Sequence, residues 1–285
     1  MRQPKDVEDF GASRIVGSFL NGFTYLLGAL FFFPVLWMVL NGFKTEAQAN
    51  GVPVFFFEPT LEQYRSITED IPGLASFSEV FTNSFVIVLV STFIVMVLAI
   101  PAAFALSIRP IGKWKDVLFF FISTKFLPVV AGILPVWLIA RQFGLLNTRW
   151  SLIVMYTALN LPLAIWMLRS FFAEVPKELI EAARIDGASL RSQLVSVVMP
   201  IVAPGLAATA LLCFIFAWNE FFLSLQLNTS DAQTVSVWVT GFESSRSDFI
   251  AKLSAASTLA VLPVVIAGWV AQKRMIRGLA LGAIK

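Results

Sequence analysis

The sequence predicts an all-α, polytopic membrane protein, and three observations support this fold class. Of its 285 residues, 58% are hydrophobic and only 14% are charged, whereas an ordinary soluble domain carries roughly a quarter charged residues. Too few charged side chains are therefore available to cover a water-exposed surface. Six apolar segments are also each long enough to form a bilayer-spanning helix of about twenty residues. They lie at about 17–40, 81–106, 117–140, 151–168, 201–224 and 253–272.

The first predicted span follows a charged N-terminal segment, residues 1–16. Its apolar run from Ile15 to Asn41 is too long for a signal-peptide core, and no small-residue cleavage site follows it. We therefore expect an uncleaved span. The loop after it, residues 41–80, is long enough to carry a small structure of its own.

Prolines lie in the predicted spans, and each removes a helical hydrogen bond. Neighbouring membrane helices can compensate for such losses, so plain kinks and hinges both remain open. Because the sequence shows neither an internal repeat nor a domain linker, we expect residues 17–272 to form one membrane domain. The prolines are Pro34, Pro101, Pro128, Pro135, Pro162, Pro204 and Pro263.

The distribution of basic residues predicts the orientation of the chain. With the N-terminus in the cytoplasm, fourteen Lys and Arg residues fall on the cytoplasmic side and six on the outer side, while Lys125 lies within the third span. Cytoplasmic loops carry an excess of basic residues. Both termini and the loop between the fourth and fifth spans are therefore expected in the cytoplasm.

That loop, residues 174–200, is unusually polar, and we name it the coupling segment. Helical spacing predicts a first short helix after Pro176, ended by Gly187 in a left-handed conformation. Ser189 is placed to cap a second helix that runs to Pro200 and into the fifth span. Ala182 and Ala183 are expected to be exposed. An amphipathic loop on the lipid surface and a surface that docks onto a protein both fit this pattern.

The stretch "EAARIDGASLRSQLVSVVMP" resembles the loop that marks permease subunits of bacterial ABC importers. That loop reads EAA, three residues, Gly, nine residues, an Ile-like residue, one more and Leu-Pro. The spacing is retained here, with Val197 for the Ile-like residue and Met199 for Leu. The residues that carry the resemblance and are implied to contact an ATPase are Glu181, Ala182, Ala183, Asp186, Gly187 and Pro200.

Three further stretches resemble the maltose-type carbohydrate-uptake group. "FIFAWNEFFLSLQL" (214–227) is similar to the fifth span of its second, six-span subunit, and "KRMIRGLALGAIK" (273–285) to its C-terminal signature. "STKFLPVVAGILPVWLIARQFGLLNT" (123–148) resembles members that import polyols and small sugars. The resemblance implies a type I ABC importer permease with six transmembrane helices in the bacterial plasma membrane.

It also implies a division of labour. A second permease subunit would complete the path, two ATP-binding subunits would dock onto the cytoplasmic loops, and an extracytoplasmic binding protein would deliver the substrate. The chain contains no phosphate-binding G-x-x-x-x-G-K-[ST] loop. We therefore expect a non-catalytic subunit without a cofactor, whose ATP is bound by a partner.

Other functions remain as alternatives. A stand-alone secondary transporter or channel would usually bring paired intramembrane charges or an inverted repeat, and the sequence shows neither. A membrane-embedded enzyme would need catalytic groups at membrane depth. The chain has no His, which removes the commonest metal ligand and general base, so no metal site is expected. Its one cysteine, Cys213, lies in an apolar run.

Four polar residues in the spans are candidates for lining the translocation path: Lys125, Asn160, Asn219 and Glu220. An ionisable group inside a span is costly and should face protein or water. Lys125 could instead reach the inner membrane interface, and Glu220 could instead bond a loop at a helix end. From their positions along the spans, a direct salt bridge between the two is not expected.

The C-terminal tail, residues 273–285, is rich in small residues. By resemblance it lies between the ATPase subunits, and Arg277, Gly278 and Gly282 are the expected contacts. A frayed terminus is the alternative.

Overall fold

The computed structural model describes residues 6–69, 75–108, 112–228, 230–242 and 249–282, with side chains between residues 17 and 272. Within these ranges the chain is helical and contains no strand. The α-helices are α1 (Asp6–Gly42), α2 (Glu46–Ala49), α3 (Glu62–Thr68), α4 (Phe77–Ser107), α5 (Trp114–Ser123), α6 (Val129–Gln142), α7 (Arg149–Ala173), α8 (Lys177–Ile185), α9 (Leu190–Ser192), α10 (Met199–Ile201), α11 (Ala203–Trp218), α12 (Phe222–Leu227), α13 (Val235–Trp238) and α14 (Ile250–Gly282).

Four helices are long and apolar enough to cross a membrane: α1 from Gly17, α4, α7 and α14 up to Gln272. Two further spans are obtained if each of two bent helix pairs counts as one, which gives up to six. The helical membrane fold is thus confirmed. The third and fifth predicted spans are each a bent pair of helices rather than a single helix.

The third predicted span, 117–140, is broken in its middle. A 3-10 turn (Thr124–Phe126) follows α5, and the chain then bends by 90° before α6. Leu127 is extended at ψ 122°, because the ring of Pro128 disfavours a helical conformation for the residue before it. Pro34, Pro101 and Pro162, in contrast, lie inside continuous helices.

The fifth predicted span, 201–224, is interrupted twice. The helix before it bends by 82° at Val202, and Pro204 lies in the first turn of a new helix, α11, where its missing N–H costs nothing. That helix ends at Trp218, so Glu220 lies in a break rather than in the helix. The second helix of the coupling segment therefore meets the fifth span at a corner and does not run straight into it.

The chain divides into two units, which we describe separately. The larger comprises residues 68–242 and 259–285, and its centre is the contact between α4, α7 and α11. One apolar cluster includes Ala103, Leu168 and Phe172 and extends to Ile180 and Val198 in the coupling segment. A second cluster packs around residues at the opposite ends of these helices: Ile87, Leu152, Tyr156, Phe214, Trp218 and Leu227.

The smaller unit comprises residues 1–67 and 243–258. Its loop carries the short helices α2 and α3, which confirms that this region has a structure of its own. Lys44 is 1% exposed, and its Nζ lies 4.2 Å from the ring centroid of Trp37 and donates to Asn41 at 3.0 Å. The Glu46 carboxylate accepts from the first backbone N–H groups of α14, at Ala251 and Lys252.

Candidate functional site

The first helix of the coupling segment, α8, lies with one face on the helix bundle. Ile180 and Ala183 are buried, and Ile180 belongs to the apolar cluster between α4 and α7. Glu181 and Ala182 are exposed on the other side. The prediction that both alanines are exposed is therefore wrong for Ala183, which lies three residues after Ile180 and hence on the same helical face.

Gly187 ends α8 as predicted, in the left-handed region at φ 74°. The Ala188 amide donates to the carbonyl of Ala183 at 2.9 Å, and the Gly187 amide donates to that of Arg184 at 3.0 Å. These two bonds satisfy carbonyls that the helix end would leave open. The Ser189 hydroxyl accepts from the Ser192 amide at 3.3 Å, which confirms it as the cap of the second helix.

The second helix of the coupling segment contains a π-helical stretch, Gln193–Val198, between α9 and α10. π-Helical turns are rare and occur frequently at functional sites. The Gln193 side chain is buried and donates to the Ala188 carbonyl at 2.8 Å, while its Oε1 has no partner among the described residues. Sequence periodicity does not indicate this stretch.

Ile185 is the coupling-segment residue that the sequence reasoning missed. Its side chain is 86% exposed beside the exposed Asp186. A signal was available, because Ile185 lies five residues after Ile180 and therefore off the buried face of α8.

A cavity of about 300 Å³ lies between α8 and the adjoining ends of α4 and α7. Its wall carries both charge signs, with Glu181 beside two basic residues. Glu181 therefore borders a recess as well as the outer face of the segment. The lining residues are Ser107, Ile108, Phe172, Ala173, Val175, Lys177, Ile180, Glu181 and Arg184.

Three of the four candidate path residues line a second cavity, of about 330 Å³, in the larger unit. Lys125, Asn160 and Glu220 come together there from three separate parts of the chain. Asn219 does not join them, because its amide is exposed and donates to the Ile215 carbonyl at 2.8 Å. The wall is completed by Tyr156, Leu159, Leu163, Phe216 and Ala217.

Lys125 and Glu220 are each bonded to backbone groups within this cavity region. The Lys125 Nζ donates to the Leu159 carbonyl at 2.7 Å. The Glu220 carboxylate accepts from the amides of Leu223 at 3.0 Å and Ser224 at 3.3 Å, and so caps α12. Glu220 is therefore a helix-end residue that also faces the cavity.

The segment after Glu220, residues 219–238, is held to the bundle by hydrogen bonds; we call it the α12–α13 segment. The hydroxyls of Tyr156 and Ser236 both donate to the Glu220 carbonyl, at 3.3 and 2.9 Å. The Trp238 indole donates to the Ala75 carbonyl at 2.9 Å. No local sequence pattern indicates these contacts, because they join residues that are distant in the chain.

The C-terminal tail is described only as backbone. Helix α14 continues to Gly282, so Arg277, Gly278 and Gly282 lie in a helical region, but their side chains are outside the described residues. Among the described residues, no group of three or more Cys, Asp or Glu side chains is placed to hold a metal ion.

Residues 72–280 match the model of a protein family described as the inner membrane component of binding-protein-dependent transport systems. A probable ABC transporter permease protein of Sinorhizobium fredii is 34% identical over 92% of this chain and 94% of its own. The sulfoquinovosyl glycerol transport system permease protein of Agrobacterium fabrum is 34% identical over 89% of this chain and 88% of its own. The trehalose/maltose transport system permease protein of Thermococcus litoralis is 32% identical over 91% and 94%.

A solved structure has the same fold. It is a chain in the crystal structure of a bacterial ABC transporter involved in the import of the acidic polysaccharide alginate. The TM-score is 0.73 at 22% sequence identity, with 96% of this chain and 99% of that chain covered.

Proposed function

We propose that the substrate of this chain is a sugar or a polyol, on the premise that the chain belongs to the family of inner membrane components of binding-protein-dependent transport systems. The chain is a transmembrane permease subunit of an ABC importer. Relatives of similar length carry the names of trehalose/maltose and sulfoquinovosyl glycerol systems, which supports a carbohydrate substrate. The coupling function is supported by one observation, the exposed outer face of the coupling segment.

The exposed face of α8 is the docking surface for an ATP-binding subunit. Glu181 offers a carboxylate for charge-assisted hydrogen bonds, which are stronger than neutral ones. Ala182 lets a partner backbone approach closely, and Ile185 supplies an apolar anchor that is 86% exposed in this chain. Asp186 and Gly187 shape the turn beside this surface.

Motion of the docked segment reaches the fifth span through the corner at Val202. Val198 and Val202 are both buried at this corner, at 0% and 5% exposure. Ile180 is packed in the same cluster as Val198, so a displacement of α8 acts on both helices of the segment. Pro200 precedes the corner and Pro204 follows it.

The complete importer would contain this chain, a second permease subunit, two ATP-binding subunits and an extracytoplasmic binding protein. ATP is bound by the partner, and this chain has no catalytic role or cofactor of its own. Both termini and the coupling segment face the cytoplasm, on the basis of the basic residues in the loops. The domain limits remain as predicted from the sequence, at residues 17 and 272.

The C-terminal tail would lie against the ATP-binding subunits, with Arg277, Gly278 and Gly282 in contact. Small residues let two backbones approach closely, which supports this placement. Deleting the residues after Arg277 should weaken association with the ATP-binding subunit. Association equal to that of the full chain would leave the tail as a frayed terminus.

Co-purification tests the proposed function. The chain is expressed with its candidate ATP-binding subunit and second permease subunit, extracted in mild detergent and isolated through a tag on this chain. We expect the ATP-binding subunit to be retained, and binding protein with a sugar to stimulate ATP hydrolysis in vesicles. Substrate transport by this chain alone, with no retained ATP-binding subunit, would support a stand-alone transporter or channel instead.

A further inference from the structure

The cavity lined by Lys125, Asn160 and Glu220 lies where two membrane helices are interrupted and a third, α7, contains a proline. Lys125 precedes the break at Pro128, and Glu220 lies in the break after α11. Asn160 lies two residues before Pro162, which removes a backbone hydrogen bond from α7. Interrupted backbone at membrane depth is tolerated where it is buried in protein or lines a water-filled cavity. This place is therefore suited to a polar substrate.

Asn160 has an unused capacity for hydrogen bonds. The residue is 5% exposed and lines the cavity, and its side chain makes no hydrogen bond to any of the described residues. The amide offers two donors and an acceptor oxygen. Since buried polar groups are nearly always hydrogen-bonded, this amide is available to a ligand in the cavity.

The charges around the cavity are balanced. Lys125 has three donors and uses one on the Leu159 carbonyl, so two remain. Glu220 caps α12 and retains further acceptor positions. Between these groups the apolar side chains of Leu163 and Phe216 form the wall. The cavity wall therefore offers hydrogen-bond donors, hydrogen-bond acceptors and apolar surface, and its charges cancel. It fits a ligand whose groups both donate and accept hydrogen bonds, namely a hydroxylated carbon chain or ring.

We propose that this cavity is a substrate subsite within this subunit, which binds the hydroxyl groups of an uncharged sugar or polyol through direct contact with Asn160. The inference rests on the proposed function and adds the contact residue and the ligand charge. The cavity of about 330 Å³ is at the small end of ligand pockets, which measure about 300–1,000 Å³. It therefore holds one sugar unit rather than a long oligosaccharide.

Cysteine labelling of the assembled importer tests the subsite. The chain has one cysteine, Cys213, which is buried and can be replaced by serine. In that background, Asn160→Cys and Leu163→Cys are labelled in vesicles with an uncharged methanethiosulfonate. Maltose, trehalose and glucitol serve as probes, each presented with the binding protein. We expect labelling at both positions. The transported probe should slow it about tenfold at Leu163→Cys, since an occupied site excludes the reagent, and less at Asn160→Cys, which has lost the proposed contact.

Val154→Cys is the matched control, since Val154 lies on the same helix, is 56% exposed and does not line the cavity. Its labelling should not respond to the probe. Absence of labelling at both cavity positions, or labelling of Leu163→Cys that the transported probe does not slow, would overturn the subsite. An importer whose ATP hydrolysis responds to none of the probes counts against the proposed function instead.

Charged labelling reagents test the proposal that the ligand is uncharged. Anionic and cationic methanethiosulfonates should label Asn160→Cys at rates within about threefold of each other, because the two cavity charges offset. Adding Lys125→Met should then favour the cationic reagent by on the order of tenfold. A strong preference for the anionic reagent before that change would overturn the assignment and indicate an acidic ligand.

Discussion

The coupling segment and the α12–α13 segment each follow a membrane helix, but different contacts hold them. The turn at Gly187 is closed by hydrogen bonds that span only three to five residues. The α12–α13 segment is tied to distant parts of the chain, for example from Trp238 to Ala75 and from Gln233 to Asn83. A segment closed by its own backbone keeps its shape while its outer face is free for a partner, whereas the other depends on the bundle.

The two segments also differ in how much apolar surface they expose. Ile185 in the coupling segment is 86% exposed, while Val235 and Trp238 in the α12–α13 segment are buried at 2% and 1%. The first segment therefore presents apolar surface that its own chain does not cover. The second uses its apolar surface internally, at the end of the bundle next to the cavity.

Substitution of Gly187 should have the largest effect, because the turn requires a left-handed backbone conformation at this residue. A β-branched side chain in the left-handed region costs about 1–3 kcal/mol or more. For Gly187→Val we expect normal membrane insertion and uptake reduced by about tenfold or more, since 1.4 kcal/mol is about tenfold. Uptake of radiolabelled substrate in vesicles, normalised to inserted protein, measures it.

Gly187→Asn is the matched control, because Asn tolerates the left-handed conformation better than other residues with side chains. It should retain most of the uptake. Equal loss in both variants would mean that the side chain, and not the backbone conformation, is responsible.

Removing the apolar anchor should weaken docking next most strongly. For Ile185→Ser we expect about tenfold weaker association with the ATP-binding subunit, since truncating a buried interface anchor costs about 1–2 kcal/mol. Titration of the purified ATP-binding subunit onto the permease in nanodiscs gives the affinity. Val52→Ser, at another residue that is 80% exposed, should not change it; equal weakening in both variants would contradict a specific role for Ile185.

The main effect expected of Glu220 is to stabilise the α12–α13 segment. Replacement by Ala removes the carboxylate cap of α12, which costs about 0.5–2 kcal/mol in comparable helices. We expect a lower thermal unfolding midpoint in detergent and a partial loss of uptake. If Glu220→Gln leaves both uptake rate and apparent affinity unchanged, Glu220 does not contact the substrate.

The smallest effect is expected at the Tyr156 hydroxyl. Its bond to the Glu220 carbonyl is long, at 3.3 Å, and that carbonyl also accepts from Ser236. Tyr156→Phe should therefore lower the free energy of unfolding by about 1 kcal/mol or less. A loss larger than that of Glu220→Ala would reverse the order of importance in this segment.

The sequence predicted those structural elements that are indicated by residues close together in the chain. Apolar runs indicated the spans, and Gly187 and Ser189 indicated the ends of the two coupling helices. The breaks at Pro128 and Val202 could not be distinguished from kinks, because a proline inside a membrane helix permits either result. Pro162 and Pro128 show both results in one chain.

The two sites differ in how far the sequence located them. Glu181 and Gly187 belong to a contiguous pattern and were found together. Lys125, Asn160 and Glu220 meet only through the packing of separate helices. The sequence therefore named them singly, together with Asn219, which does not line this cavity. Charge and polarity at membrane depth locate such residues one at a time but do not show which of them share a cavity.

The central claim is that the exposed face of α8 transmits the action of an ATP-binding subunit. Charge reversal by Glu181→Lys tests it most directly, because Glu181 is exposed and its replacement leaves the buried face of α8 intact. In vesicles with the ATP-binding subunit and the binding protein, we predict normal insertion and loss of substrate-stimulated ATP hydrolysis. Hydrolysis and uptake equal to those of the unchanged importer would contradict the account.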